Sequence, residues 1–284
     1  MALGARHRLD RGMTTLTPSA SSPRSAVVTG GAGGIGRAIA TRLVARGYAV
    51  VVSDIDEAAA RRTAQELGAA AGVGHDVRDP EDHRRVLAAA TAHAPLGVWV
   101  NNAGLGHDGT LASIDEGHVR ALVEVNLLGV AWGSRVAVEA FGSGGGDLIN
   151  IASLSALGPV PGLSVYAATK AAVVSLTTSL DTETPRSLHV HALCPDGVDT
   201  PLVAGMAADG QGRALVSSGG RLLTTDEVAD AAVALIGTRR VVRTLPAWRG
   251  VMMRATDLAP SVLMRLEPLM RRQGTRAVRR HQRP

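Results

Sequence analysis

The feature that most constrains the fold is a short apolar segment that runs directly into a glycine-rich turn and then into a helical pattern. Residues 26–29 (AVVT) are apolar enough for a buried strand, and the next seven residues contain five glycines. Helical periodicity then holds over residues 37–46 and ends at Gly47, and residues 48–53 form a second apolar run. This order is typical of a parallel β-α-β unit.

The same alternation of strands and helices continues along the chain. Helical patterns cover residues 57–67, 80–92 and 226–236, and further strands are predicted near residue 76 and at residues 97–100, 146–152 and 187–193. Because the strands are continuously apolar, helices should cover both faces of the sheet. The sequence therefore predicts an α/β fold, a Rossmann-type doubly wound parallel sheet, in a single domain over residues 25–238. Ligands of such sheets bind beyond the carboxyl ends of the strands.

The glycine-rich turn is a candidate phosphate-binding site, although a plain flexible turn would have a similar composition. Glycines let the backbone approach a pyrophosphate, and the following helix N-terminus offers free N–H groups. Asp54, 18 residues after Gly36, could accept hydrogen bonds from a ribose diol and repel a 2′-phosphate, which predicts NAD rather than NADP. Asp54 could instead cap the next helix, and Arg37 is expected to lie near the phosphates and partly offset the repulsion.

A tyrosine and a lysine form the second candidate constellation. The chain has 30 Lys and Arg residues, and the only lysine is Lys170, four residues after Tyr166. On a helix the two side chains share one face. A phenol has a pKa of about 10, and a nearby ammonium is expected to lower it, so that the pair can exchange a proton near neutral pH. A tyrosine packed beside a solvent-facing lysine would show the same spacing.

Six motifs in the same order make the chain resemble the short-chain dehydrogenase/reductase family. Tyr166 and Lys170 match the family's YxxxK, and Ser153, 13 residues before the tyrosine, stands where the family has its catalytic serine. The other matches are TGxxxGIG at residues 29–36, Asp-Val at 76–77, NNAG at 101–104 and Asn126. The resemblance covers about residues 25–238.

The resemblance implies a role for each matched residue. Tyr166 would exchange a proton with the substrate oxygen, and Ser153 would hydrogen-bond that oxygen. Lys170 would hold the nicotinamide ribose, and Asn126 would support the lysine through water. Hydride would pass directly between nicotinamide and substrate carbon, without a metal. The implied cofactor residues are Gly30, Gly34, Ile35, Gly36, Asp54, Asp76, Val77, Asn102, Ala103, Gly104, Tyr166, Lys170, Pro195, Val198 and Thr200.

One segment departs from the family pattern. The family has Pro-Gly-x-Val-x-Thr after its sixth strand, whereas residues 195–200 read PDGVDT, so that Asp196 replaces a glycine near the nicotinamide. Asp196 could cap a turn, or it could change the charge of the substrate pocket. The next segment, residues 201–220, is expected to close over the substrate, and its apolar residues predict a moderately hydrophobic alcohol or ketone.

The charge of the chain is concentrated in a predicted basic extension, residues 239–284. This extension carries 12 arginines and two carboxylates, a net charge of +10 in a chain whose total is +5. It contains an apolar helical face, which could dock on the body or a partner subunit or lie on an anionic membrane. That face consists of Val262, Leu263, Leu266, Leu269 and Met270. Residues 1–24 lack the apolar run of a signal peptide and are predicted to be a disordered leader.

The sequence as a whole predicts a cytoplasmic, NAD-preferring oxidoreductase of a secondary alcohol or its ketone, with peripheral membrane contact possible through the extension. The resemblance implies a homodimer or homotetramer, and no motif points to nucleic acid. A single cysteine, Cys194, excludes an intrachain disulfide and fits a reducing compartment. No apolar run is expected to reach the roughly 18 residues of a membrane span. The alternative is a non-catalytic nucleotide-binding protein whose basic tail contacts a membrane or another protein.

Overall fold

The computed structural model of the chain describes residues 23–204, 206, 211–266, 268 and 272. The predicted leader, residues 1–24, lies almost entirely outside the described residues. The core of the fold is one seven-stranded sheet, and all of its strand pairs are parallel. The strands are β1 Ser25–Thr29, β2 Ala49–Asp54, β3 Ala71–Gly74, β4 Leu96–Asn101, β5 Gly146–Ile151, β6 Leu188–Pro195 and β7 Val242–Leu245.

The strand order is β3-β2-β1-β4-β5-β6-β7, so the direction of winding reverses between β1 and β4. The predicted doubly wound Rossmann-type sheet is therefore confirmed. A reversal of this kind opens a crevice at the carboxyl ends of the two strands, because the helices that follow them lie on opposite faces. The glycine-rich turn after β1 and the NNAG segment after β4 both end in this crevice.

Helices cover both faces of the sheet. They are α1 Gly34–Ala45, α2 Glu57–Leu67, α3 Pro80–Thr91, α4 Glu116–Val123, α5 Gly129–Phe141, α6 Ser164–Glu183, α7 Pro201–Ala204, α8 Gln211–Val216, α9 Thr225–Val233, α10 Ala247–Leu258 and α11 Pro260–Leu263. One buried cluster joins the sheet to α1 and α9, and a second joins the opposite face to α3 and α5. Trp99 is fully buried in the second cluster. Small aliphatic side chains supply most of both clusters, as the scarcity of aromatic residues requires.

The sheet extends past residue 238, the predicted end of the nucleotide-binding domain. β7 lies in the predicted extension and pairs with β6 at the edge of the sheet. α10 follows β7 and contacts both that strand and a 3₁₀ turn, Leu154–Leu157. The side chains of the predicted apolar face, residues 262, 263, 266, 269 and 270, lie outside those that the structure describes.

A helical stretch in the middle of the chain is long and apolar enough to cross a membrane by length and composition alone. It runs over 29 residues, Glu116–Gly144, and 44% of its most apolar window is buried inside the fold. The stretch passes on its mean hydropathy and is not an uninterrupted apolar run, because Glu124, Asn126 and Arg135 lie within it. The stretch comprises α4, a π-helical turn, α5 and a short 3₁₀ turn, and α5 packs on β4 and α3. Core helices of globular domains pass the same test, so this stretch is weak evidence for a membrane span.

Candidate active site

Two cavities meet at the carboxyl ends of the central strands. A groove of about 500 Å³ follows the glycine-rich turn and the ends of β2 and β3. A second cavity of about 160 Å³ lies beyond the ends of β5 and β6. The two share lining residues, among them Ile35, Gly104 and Thr200. A long ligand in the groove would therefore present one end to the second cavity, which we call the substrate pocket.

The predicted serine, tyrosine and lysine converge on the substrate pocket. Ser153 follows β5 and begins the 3₁₀ turn, whereas Tyr166 lies in the first turn of α6 and Lys170 one turn later. The Ser153 hydroxyl lies beside the Tyr166 phenol and acts to lower the pKa of that phenol. The Lys170 ammonium lies 5.8 Å from the centre of the Tyr166 ring and donates a hydrogen bond to the Ile151 carbonyl at 2.9 Å. The two hydroxyls are thus side by side, with a cation behind them.

Burial shifts the pKa values of both Lys170 and Tyr166, which the four-residue spacing of the two residues did not indicate. Lys170 is only 4% exposed, and burial lowers the pKa of its ammonium to about 8. Burial also raises the pKa of the Tyr166 phenol, and the neighbouring Ser153 hydroxyl offsets part of that rise. The expectation that the lysine would lower the pKa of the Tyr166 phenol below its usual value is therefore wrong. The reason is that loss of water disfavours both the phenolate and the ammonium.

Asn126 lies in the π-helical turn Glu124–Leu128 and is fully buried. Its amide oxygen accepts a hydrogen bond from the Leu105 N–H at 2.8 Å, and its amide nitrogen donates to the Leu105 carbonyl at 2.9 Å. The same nitrogen reaches the Thr169 hydroxyl of α6 at 3.4 Å. A π-helical turn widens a helix at one point, often at a functional site. Here it lets Asn126 hold the loop after β4 against the helix that carries the tyrosine and lysine.

The glycine-rich turn adopts a backbone conformation that requires glycine at several positions. Gly30 and Gly34 have φ angles of +60° and +51°, which favour glycine. A Cβ atom on Gly36 would lie 2.2 Å from the Gly30 carbonyl oxygen, whereas one on Gly33 would meet no atom within 4 Å. Gly33 is the N-cap of α1 and supplies no side-chain cap, and the first turn of α1 has no acidic residue. The helix end is thus suited to an anionic pyrophosphate.

Asp54 lines the groove at the end of β2 and does not cap α2. Its carboxylate accepts hydrogen bonds from the Ala32 N–H at 3.1 Å and the Asp56 N–H at 3.3 Å. The cap of α2 is Asp56, which accepts from the Ala59 N–H. Arg37 forms an ion pair with Glu66 at 2.7 Å, so its charge is largely balanced by Glu66 rather than available to offset Asp54.

The remaining matched cofactor residues also line the groove or its continuation. Asp76 and Val77 lie beside Asp54, and the Asp76 carboxylate pairs with Arg78, which lowers the pKa of that carboxyl. Asn102 and Ala103 both donate backbone N–H groups to the Thr29 hydroxyl at 3.0 Å, which ties the ends of β4 and β1 together. A Cβ atom on Gly104 would lie 3.2 Å from the Asn126 amide oxygen. Pro195, Val198 and Thr200 line the substrate pocket.

Asp196, the departure from the family pattern, forms a buried ion pair with an arginine from α10. Its carboxylate lies 2.8 Å from Arg249 Nε, and the two side chains are 10% and 5% exposed. Arg249 also donates to the Ser218 hydroxyl at 3.0 Å. Both charged residues line the substrate pocket. Asp196 is therefore neither a simple turn cap nor an uncompensated pocket charge.

Sequence reasoning missed several residues of the two cavities. The missed groove residues include Ile55, His75, Arg78 and Val125, and the missed substrate-pocket residues include Ser155, Arg249, Met253, Thr256 and Met264. Ser155 was within reach of the sequence, since it stands two residues after Ser153. The residues of α10 carried no such signal, because their place in the pocket depends on how a distant segment folds back. Among the described residues no group of three or more His, Cys, Asp or Glu side chains could hold a metal ion.

The chain is similar in sequence to known dehydrogenases. Residues 24–211 match the family model described as short chain dehydrogenase. The chain is 38% identical over 187 residues to a 4-formylbenzenesulfonate dehydrogenase of Comamonas testosteroni, covering 63% of this chain and 74% of the relative. It is 36% identical over 220 residues to a cis-4-hydroxycyclohexanecarboxylate dehydrogenase of Sinomonas cyclohexanicum, covering 75% of this chain and 88% of the relative. A 3-beta-hydroxysteroid dehydrogenase of Comamonas testosteroni is 34% identical over 196 residues, covering 67% and 77%.

A solved structure shows the same fold. The crystal structure of a 3-ketoacyl-(acyl-carrier-protein) reductase from Brucella melitensis, complexed with NADH, superposes with a TM-score of 0.71 at 32% identity. The match covers 97% of that chain but 79% of this one, so about a fifth of this chain has no counterpart there. With the matched sequence model and the parallel sheet, these similarities make the chain a member of the short-chain dehydrogenase/reductase family, whose members are oxidoreductases that use a nicotinamide dinucleotide.

Proposed function

We propose that the protein is an NAD-preferring enzyme that interconverts a neutral, apolar secondary alcohol and its ketone. The observation that carries the proposal is the neighbouring pair of Ser153 and Tyr166 hydroxyls, which lines an apolar pocket adjoining the groove. A substrate oxygen placed between the two hydroxyls would have one partner that exchanges a proton and one that steadies developing negative charge.

The groove would hold the dinucleotide. Gly33 and the N-terminus of α1 would meet the pyrophosphate, and Asp54 would accept hydrogen bonds from the adenosine ribose diol. The carboxylates of Asp54 and Asp76 favour a cofactor without a 2′-phosphate, because Arg37 and Arg78 are both paired with acidic groups. When bound, the nicotinamide supplies or accepts the hydride.

The proton-transfer step belongs to Tyr166. In the direction of ketone reduction the phenol donates its proton, and the raised pKa keeps it protonated at neutral pH. In the direction of alcohol oxidation the phenolate accepts the proton. The positive charge on Lys170 favours the phenolate when the lysine amine is protonated. Asn126 would hold the loop beside Lys170 and thereby keep the ammonium in place.

The walls of the pocket support a neutral, apolar substrate. Apolar side chains from four separate segments line it, among them Leu154, Val203, Met206 and Met253. The charge on Arg249 is balanced by Asp196, so that a substrate carboxylate would have to compete with an internal one. One relative has a name that specifies a cyclic secondary alcohol, a 3-beta-hydroxysteroid, and another has a name that specifies a cyclic alcohol that also carries a carboxylate, a hydroxycyclohexanecarboxylate. Alicyclic alcohols are therefore the first class to test.

A turnover experiment with two tyrosine variants tests the proposal. Tyr166→Phe should lower kcat for alicyclic alcohols by about 100- to 10,000-fold, the usual contribution of acid–base catalysis, while NADH still binds. Tyr48→Phe is the matched control, since Tyr48 is the only other tyrosine, packs against the core cluster of α1 and the sheet, and lines neither cavity. Retained activity in Tyr166→Phe would contradict the proton-transfer role. NADH binding without turnover of any alcohol or ketone would favour the non-catalytic alternative.

The assembly and location of the protein are also proposals. We propose a homodimer or homotetramer in the cytoplasm, as the family resemblance implies. Sedimentation velocity of the full chain tests the first proposal, and a monomer at micromolar concentration would contradict it. Flotation with anionic vesicles tests whether the basic extension adds peripheral membrane contact.

A further inference from the structure

The segment that follows β7 returns to the substrate pocket. Within residues 247–266, four described side chains line that pocket: Arg249, Met253, Thr256 and Met264. The family model ends at residue 211, so this part of the pocket lies beyond the matched region. The segment is therefore an addition to the wall of a pocket that the rest of the chain already forms around Ser153 and Tyr166.

Two contacts hold α10 in this position. Arg249 pairs with Asp196, which directly follows β6, and donates to the hydroxyl of Ser218, which follows α8. Gly250 lies so close to β7 that an added Cβ atom would be 2.3 Å from the Thr244 hydroxyl oxygen. A buried ion pair sets position more than it adds stability, because its geometry must be satisfied for the charges to stay buried. The helix is thus placed at a defined distance from the pocket.

Met253 brings the segment next to the catalytic turn. Its side chain is 7% exposed and packs with Leu154 and Leu157, in the turn that begins directly after Ser153. The Thr256 hydroxyl, one helical turn further on, already donates to the Met252 carbonyl at 3.0 Å. Met253 therefore contributes an unbranched, flexible apolar side chain to a pocket whose reacting hydroxyls lie one short turn away. Methionine adapts its shape to an irregular ligand but also fills the space that a larger ligand would need.

We propose that residues 247–266 form a substrate-selecting wall of the pocket. In this wall, Met253 limits the size of the part of the substrate that lies beyond the carbon taking part in hydride transfer. The substrate class is a neutral alicyclic alcohol, and Met253 limits the bulk of its ring substituents. This inference rests on the proposed oxidoreductase function, but it concerns a segment outside the matched catalytic motifs. If the extension lay on a membrane instead, substrate choice would depend on the residues of the matched region, 24–211.

The test is a ratio of two specificity constants. Oxidation of cyclohexanol and of 4-tert-butylcyclohexanol is measured with NAD, and kcat/KM for the bulky alcohol is divided by that for the small one. Met253→Ala should raise this ratio by at least about fivefold, and Met253→Phe should lower it, because a single methylene group in an apolar pocket can change discrimination by about 10- to 200-fold. The affinity for NADH, measured by fluorescence, should stay the same in both variants.

Met252→Ala is the matched control, because it removes the same side chain from the adjacent position of α10, which does not line the pocket. Its ratio should equal that of the parent chain. A purely structural role of Met253 would lower both specificity constants in proportion and leave the ratio unchanged, and that result would overturn the inference alone. Failure of the parent chain to turn over or bind either alcohol would overturn the proposed function for this substrate class, and the inference with it.

Discussion

The buried ion pair between Asp196 and Arg249 permits a quantitative test of how the extension is attached. Replacement of Arg249 by methionine keeps most of the side-chain volume but leaves the Asp196 carboxylate buried without its partner. Both side chains are at least 90% buried, and the two atoms of the pair are 2.8 Å apart. Removing one member of such a pair costs about 3–5 kcal/mol, because the remaining charge has lost both water and its counter-ion.

The assay is equilibrium urea unfolding at pH 7 followed by circular dichroism. Arg249→Met should lower the free energy of unfolding by about 3–5 kcal/mol. The double variant Asp196→Ala/Arg249→Met should recover at least about 2 kcal/mol of that loss, because it removes the stranded carboxylate, and residues in contact couple by about 0.5–3 kcal/mol. Arg254→Met is the matched control on the same helix. Arg254 is exposed, so this change should stay within about 0.5 kcal/mol of the parent chain.

Two results would refute the reasoning. A loss below about 1 kcal/mol in Arg249→Met would mean that water reaches the carboxylate and that the pair is not buried in solution. The single variant Asp196→Ala completes the cycle, and additivity of the two single substitutions within about 0.5 kcal/mol would mean that the two residues do not interact. Either result would remove the main contact that holds α10 against the pocket.

Three further predictions concern the cofactor groove and Lys170. Asp54→Ala should narrow the preference for NAD over NADP by at least about tenfold in kcat/KM, a change of about 1.4 kcal/mol, since it removes a carboxylate that repels a 2′-phosphate. Lys170→Met should abolish turnover yet raise the free energy of unfolding at pH 7 by about 2–3 kcal/mol, because the buried ammonium has a pKa of about 8 instead of 10.5. This gain should shrink as the pH rises above 8, where the folded parent chain loses the proton, and unfolding curves at pH 7 and 9.5 would show it. Gly36→Ala should destabilise the turn and abolish NADH binding, because its Cβ would lie 2.2 Å from the Gly30 carbonyl oxygen. Gly33→Ala should keep the parent Tm and weaken NADH binding alone, and equal loss of Tm in the two variants would contradict this reading of the turn.

Local patterns were enough to predict the architecture. The apolar strands, helical periodicities and glycine turns of residues 26–236 are properties of short segments, and they led to the correct α/β class and to a parallel sheet. β7 was missed because Val242–Leu245 is a four-residue edge strand with an arginine inside it, and all four residues are only half-buried. Such a strand has no apolar run and becomes recognisable only beside its neighbour.

By itself, the sequence determined that the glycine-rich turn, Asp54 and the NNAG segment would meet Ser153 and Tyr166 at one edge, because these motifs follow strand ends that a parallel sheet must bring together. Tertiary structure alone decided the protonation of Tyr166 and Lys170, since burial depends on everything packed around them. It also decided that Asp196 would meet Arg249, 53 residues away in the chain, and that Met253 would face the pocket. These are contacts between distant segments, and no local pattern encodes the path by which the chain after β7 returns to the site.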